Sequence, residues 1–179
     1  MSSDTGLNRS GSLRRLTRLA VFVALAAAGA MVKIPSPTGT VALDSLPGYL
    51  GALVFGIKDG MLIAALGHLL SAATAGFPLS IPVHLFIAAQ MAAFAAAFGW
   101  LGSRHLGGGI VLAMVLNGVV APALFIPFPH YGLAFFTAMV IPLLVGSMVN
   151  VAAAAAVHRA LFRRKGAMVE GGTSNVHRG

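Results

Sequence analysis

From Leu16 to Val157 the chain is a succession of six apolar runs, broken only by short polar turns and proline-rich loops. Charged residues make up 9% of the 179 residues and hydrophobic ones 58%. A soluble domain of this size carries charge on about a quarter of its residues, so these charges cannot coat a water-facing globule. Disorder is excluded by the same figures, because disordered chains are polar. The main solvent of this chain is lipid.

The runs are Leu16 to Val32, Leu46 to Ile57, Met61 to Ala75, Val83 to Leu101, Ile110 to Ile126 and Leu133 to Val157. Arg14, Arg15 and Arg18 ahead of the first run give it the order of a signal peptide. It runs straight into Lys33-Ile34-Pro35-Ser36-Pro37 without a convincing cleavage site, and is read as a retained helix. The second run crosses a core of ~30 Å only if Val41 to Ser45 join it. Lys58-Asp59-Gly60 reads as a polar turn. The expected fold is therefore an all-α integral membrane protein of six transmembrane helices over residues 14–165. Residues 1–13 and 166–179 are expected to be disordered cytoplasmic tails.

Six spans put both termini on one side. Arg9, Arg14, Arg15, Arg18, Lys58, Arg104, Arg159, Arg163, Arg164, Lys165 and Arg178 then share one face, and Lys33 stands alone on the other. The excess of Lys and Arg marks the cytoplasmic face. It also accounts for the net charge of +8 without nucleic acid. Three proline-containing loops, 34–46, 76–82 and 127–132, fall outside, the latter two with aromatic residues. Irregular backbone near membrane depth is tolerated where protein or water satisfies it. These loops read either as the lid of an outward pocket or as plain connectors.

Several chemistries are absent from the sequence. There is no Cys, hence no disulfide, thiolate metal site or Cys nucleophile. Asp4, Asp44, Asp59 and Glu170 are the only acids, which leaves almost no scope for a carboxylate pair. No phosphate-binding loop, dinucleotide glycine pattern or zinc-protease helix occurs.

Polar groups inside apolar spans are expensive and mark sites or interhelical ties. The candidates are His68 in the third span, His84 and Gln90 in the fourth, Asn117 in the fifth and Asn150 in the sixth. His84 and Gln90 lie about 120° apart around a helix, so they line at most two sides of one cavity. At the lid, Asp44 either meets a ligand or pairs with Lys33. His130 and Tyr131 sit beside Phe125 and Phe128, where an aromatic ligand can stack or where Tyr131 anchors at the interface. No acidic or basic residue stands at mid-depth to couple an ion gradient. The chain reads as a binding subunit whose energy comes from partners. In the first helix Ala20, Ala24 and Ala28 recur every four residues, a spacing that allows close approach of another helix or packing within the chain.

The stretches KIPSPTGTVALDSLPGY and GALVFGIKDGMLIAALGHLLSAATAGFPLSIPVHL, behind an Ala-x-x-x-Ala first helix, resemble the substrate-binding S components of energy-coupling factor (ECF) vitamin transporters. The similarity covers residues 14–162. IPSPTGTVALDS and the GHLLSA, GFPL and PVHL segments look most like the S components assigned to alpha-ribazole, a cobalamin precursor. The resemblance implies a non-enzymatic plasma-membrane protein with an outward pocket closed by the loop after helix 1. It implies docking of Ala20, Ala24 and Ala28 on a transmembrane coupling subunit driven by two cytoplasmic ATPases. ATP is then used by the partners, and this chain holds no cofactor or metal. Alpha-ribazole joins a benzimidazole to a ribose, so its ring suits aromatic stacking and its hydroxyls suit Asp44, His68, His84, Gln90 or Asn117. Within the same family the alternatives are pantothenate, a thiamin pyrimidine and a queuosine precursor. Outside it stand an intramembrane enzyme built on His68, His84 and Asp44, and a scaffold subunit with no pocket.

Overall fold

The computed structural model describes residues 4–36 and 39–174, with side chains described over 10–32 and 43–162. No proline interrupts the chain before Pro35, and α1 runs unbroken from Asp4 to Gly29. It therefore begins within the polar residues assigned to a tail. Where Pro35 and Pro37 forbid a helix, the backbone doubles back instead. β1 (Lys33–Ser36) pairs antiparallel with β2 (Gly39–Ala42), with Lys33 opposite Ala42 and Ser36 opposite Gly39. An isolated two-stranded ribbon is all edge, where Pro35 is tolerated. This hairpin is the one addition to a helical architecture among the described residues.

Because Val41 belongs to β2, it cannot extend the second apolar run. α2 (Leu46–Val54) has only nine residues, about 14 Å at 1.5 Å per residue. That corrects the expectation of a second full span, since the hydrocarbon core is ~30 Å thick. The break that follows also falls earlier than the sequence suggests. Gly56 takes φ of +101°, a conformation glycine adopts without steric cost. Lys58 and Asp59 consequently lie in the first turn of α3 (Ile57–Thr74), not in a connecting turn. Gly60 permits the close crossing of α2 and α3, because a Cβ there would stand 2.5 Å from the Ala52 backbone.

α4 (Ile81–Gly102) starts beside Pro82, and α5 (Leu106–Ala123) contains a π-helical segment at Leu116–Val120. α6 (Gly132–Ser174) carries Pro142 inside it. Among the described residues, three stretches are long and apolar enough to cross a membrane: Ile81–Gly102, Leu106–Ala123 and Gly132–Phe162. α1 and α3 also reach 18 residues or more. α1, however, carries Arg14, Arg15 and Arg18 midway along its length, and α3 carries Lys58 and Asp59 in its first turn. Exposed apolar side chains such as Val111, Leu133 and Ile141 form the surface that lipid requires.

The two ends of the bundle differ. At one end an Arg15 guanidinium nitrogen (Nη2) lies 2.7 Å from Asp59 Oδ1, and the Arg18 guanidinium stands 4.9 Å from the centre of the Phe55 ring. These contacts fix the basic half of α1 to the α2–α3 turn. Gly102 packs against Leu53, which brings the α4–α5 turn and Arg104 to the same end. The core lies toward this end: Tyr49 and Phe98 meet edge to face at 5.1 Å, among Phe94, Ala113, Val151 and Ala154. The hairpin, the α3–α4 turn and the α5–α6 turn gather at the opposite end.

Candidate ligand cavity

At the hairpin end the helices splay around a cavity of about 160 Å³. One water needs ~10–15 Å³ of such space, so the void accepts a small organic molecule. Its walls come from the end of α1, the start of α2, α3, α4, α5 and α6. The wall is chemically divided. Asp44, Ser45, His68, Ser71 and His84 form a polar side, while Phe125, Phe135, Met139 and Leu143 form an apolar side. Gln90 and Asn117 add amides between them.

The polar side is an ordered chain of hydrogen-bonding groups. The Leu79 amide N–H donates to His84 Nε2 at 3.5 Å. That nitrogen is then an acceptor, so the proton of a neutral ring sits on Nδ1. His84 Nδ1 lies 3.2 Å from His68 Nε2, and the assignment makes His84 the donor there. His68 Nδ1 carries the remaining proton toward Asp44 Oδ2, 3.8 Å away. Ser45 Oγ donates to Asp44 Oδ1 at 3.1 Å. With that assignment every ring nitrogen of the pair has a partner along the chain. Phe77 closes against His84 edge to face at 5.7 Å.

Gln90 stands apart from this network. It is 6% exposed, and neither its Oε1 nor its Nε2 has a hydrogen-bond partner among the described residues. Buried amides are nearly always satisfied, and an exception calls for an explanation. Here the side chain borders the cavity. Asn117 is held differently. Its Nδ2 donates to Ser147 Oγ at 2.7 Å, and it sits in the π-helical segment, a distortion often found at functional sites.

The apolar side is braced by an aromatic cluster. Phe125 is buried and touches Phe86, Phe128, Tyr131 and Phe135, with ring centres 5.2–6.1 Å apart. Tyr131 donates its hydroxyl to the Leu79 carbonyl at 3.4 Å, tying the α5–α6 turn to the α3–α4 turn.

Of the residues named from sequence, Asp44, His68, His84, Gln90 and Asn117 meet in one cavity. Two others do not reach its wall. His130 is exposed, and Tyr131 acts one step back, on Phe125 and the Leu79 carbonyl. Their loop carries them outward while Phe125 and Phe135 turn in. Asp44 has Ser45 and His68 beside it; the Lys33 side chain lies outside the described residues. Asn150 is an interhelical tie, its Oδ1 accepting from the Leu46 amide at 2.8 Å. Phe135, Met139 and Leu143 escaped the sequence reading, although their spacing of four marks one face of a helix. Ala20, Ala24 and Ala28 are exposed on α1, whereas Ala26 packs inward against Gly67. Among the described residues no group of three or more His, Asp, Glu or Cys is placed to hold a metal ion.

Residues 14–162 match the family model described as "ECF transporter, substrate-specific component". Among solved structures, the chain is similar to one from a study of the structure and mechanism of the S component of a bacterial ECF transporter. The TM-score is 0.58 at 20% identity, covering 88% of this chain and 98% of that one. The likeness is one of fold. No curated protein matches the chain.

Proposed function

The chain belongs to the family of ECF transporter substrate-specific components, membrane proteins that bind a transported small molecule and work with an ECF module, and from that premise we propose that its cargo is alpha-ribazole. The observation that carries this reading is the unpartnered Gln90 amide beside a cavity with one aromatic and one polar wall. A vicinal diol complements a carboxamide, since one hydroxyl donates to Oε1 and the other accepts from Nε2. The benzimidazole then lies against Phe125 and Phe135, where offset or edge contacts are favourable. The ribose hydroxyls face Gln90, Asn117 and the Asp44–His68–His84 chain. His130 and Tyr131 support the mouth from behind and do not contact the ligand.

In this reading the protein crosses the plasma membrane several times, with both termini and the basic end cytoplasmic. The hairpin end opens outward. The exposed Ala20, Ala24 and Ala28 face docks on the transmembrane coupling subunit, where small side chains allow close helix approach. The coupling subunit is driven by two cytoplasmic ATPases, so ATP is consumed by partners and not by this chain.

Isothermal titration of the purified protein with alpha-ribazole tests the cargo directly. Saturable one-to-one binding is expected, weakened at least about tenfold when ribose is removed and only dimethylbenzimidazole is offered. Tight binding of a thiamin pyrimidine or queuosine precursor instead would keep the family and replace the cargo. Ala24→Trp is expected to abolish uptake in cells carrying the whole transporter while leaving that titration unchanged. Loss of binding and uptake together would contradict the separation of docking face from cavity.

A further inference from the structure

We propose that this cavity selects against anions, so that its ligand is the uncharged or cationic form of a molecule and never its phosphate ester or carboxylate. The inference rests on the small-molecule-binding reading above and narrows its ligand class.

The charge inventory of the wall carries it. Among the described residues bordering the cavity there is one carboxylate, Asp44, and no Lys or Arg. Asp44 is buried, so its field is not screened as a surface charge would be. The two imidazoles do not offset it. The Leu79 N–H points at His84 Nε2, and a second ring proton there would set donor against donor. His84 Nδ1 in turn faces His68 Nε2; a proton on both would repeat the conflict. The donors and acceptors of the polar chain are matched in this order, and its terminus is the Asp44 carboxyl.

An anion entering this space leaves water without gaining a Lys or Arg partner among the described residues. A charge buried unpaired is among the most expensive events in a protein interior. Gln90 and Asn117 offer amide dipoles, not charge. Among the described side chains Arg15, Arg18 and Arg104 give no relief: Arg15 and Arg18 are committed to Asp59 and Phe55, and Arg104 lies over Trp100, all at the far end of the bundle. Pantothenate, a carboxylate, is thereby disfavoured among vitamin ligands, as is a phosphorylated nucleoside.

Matched pairs of ligands test the idea on the intact chain in detergent or nanodiscs. The pairs are alpha-ribazole with its 5′-phosphate, hydroxymethylpyrimidine with its phosphate, and pantothenol with pantothenate, the last nearly equal in size. In whichever pair binds, the uncharged member is expected to be tighter by at least about a hundredfold. Ala75→Lys puts an ammonium at the exposed rim of the wall and is expected to narrow that gap by about tenfold. An anionic member that binds as tightly as its neutral partner overturns the proposal. So does a gap that Ala75→Lys leaves unchanged, since size rather than charge would then be the cause. Binding of a neutral pyrimidine but not of alpha-ribazole would sink the cargo assignment and support this inference. Silence from all three pairs overturns both.

Discussion

The two ends of this helical bundle use the same kinds of element for opposite purposes. At the basic end, glycine and alanine let helices touch backbone to backbone, as Gly60 does at Ala52 and Gly109 at Gly102. Tyr49 and Phe98 fill what remains. At the hairpin end the helices part, and the space between them is bordered by side chains that lipid would penalise. Packing density supplies rigidity at one end, and its absence leaves a cavity at the other. A cavity costs stability, so the tight end must compensate for the open one.

Substitutions at the two ends should therefore separate stability from binding. The largest stability effect is expected for Phe98→Ala. That side chain is 0% exposed, and truncating such an aromatic costs about 3–5 kcal/mol. Thermal unfolding in detergent should show a marked fall, with the ligand affinity of the surviving folded fraction close to wild type. An equal loss of affinity would mean the two ends are not independent.

Gln90→Leu should behave in the reverse way. Its amide has no protein partner to lose, so melting of the unliganded protein is expected to hold or rise slightly. The two ligand hydrogen bonds of the proposed binding mode would be lost, and affinity should drop by about ten- to a hundredfold in titration. Unchanged affinity with lowered stability would show that Gln90 is structural after all.

Ser147→Ala lies between these cases. It removes the acceptor of the Asn117 amide and leaves a buried donor unsatisfied, at about 1–3 kcal/mol. Both unfolding temperature and affinity are expected to fall, because Asn117 borders the cavity. The smallest effect belongs to Arg15→Ala. The Arg15 side chain is 49% exposed, and ion pairs of that kind contribute at most about 1 kcal/mol. Only a small shift in melting is expected, and it should shrink further in high salt.

Much of the cavity was legible before any fold was known, because a polar residue in an apolar run has few uses. His68, His84, Gln90 and Asn117 stood out for that reason, and Asp44 because no basic residue neighbours it in sequence. The errors have physical causes as well. His130 and Tyr131 share a loop with cavity residues, and sequence distance alone does not tell which side of a loop turns inward. Phe135, Met139 and Leu143 were hidden by the rest of α6, whose lipid-facing and cavity-facing residues are equally apolar. α2 was overestimated because apolarity reveals which residues avoid water and not whether they form a helix or half a hairpin.

The sequence by itself determined that this chain lives in lipid, that prolines bar a helix after the first apolar run, and which end gathers positive charge. Those properties follow from solvation and backbone chemistry, residue by residue. The tertiary structure decided that the His84 and His68 rings meet nitrogen to nitrogen, that the Leu79 backbone amide five residues before His84 points at its Nε2, and that the Gln90 amide has no partner among the described residues. Such facts depend on distances between segments far apart in the chain, and hydrogen bonds exist only within about 3.5 Å.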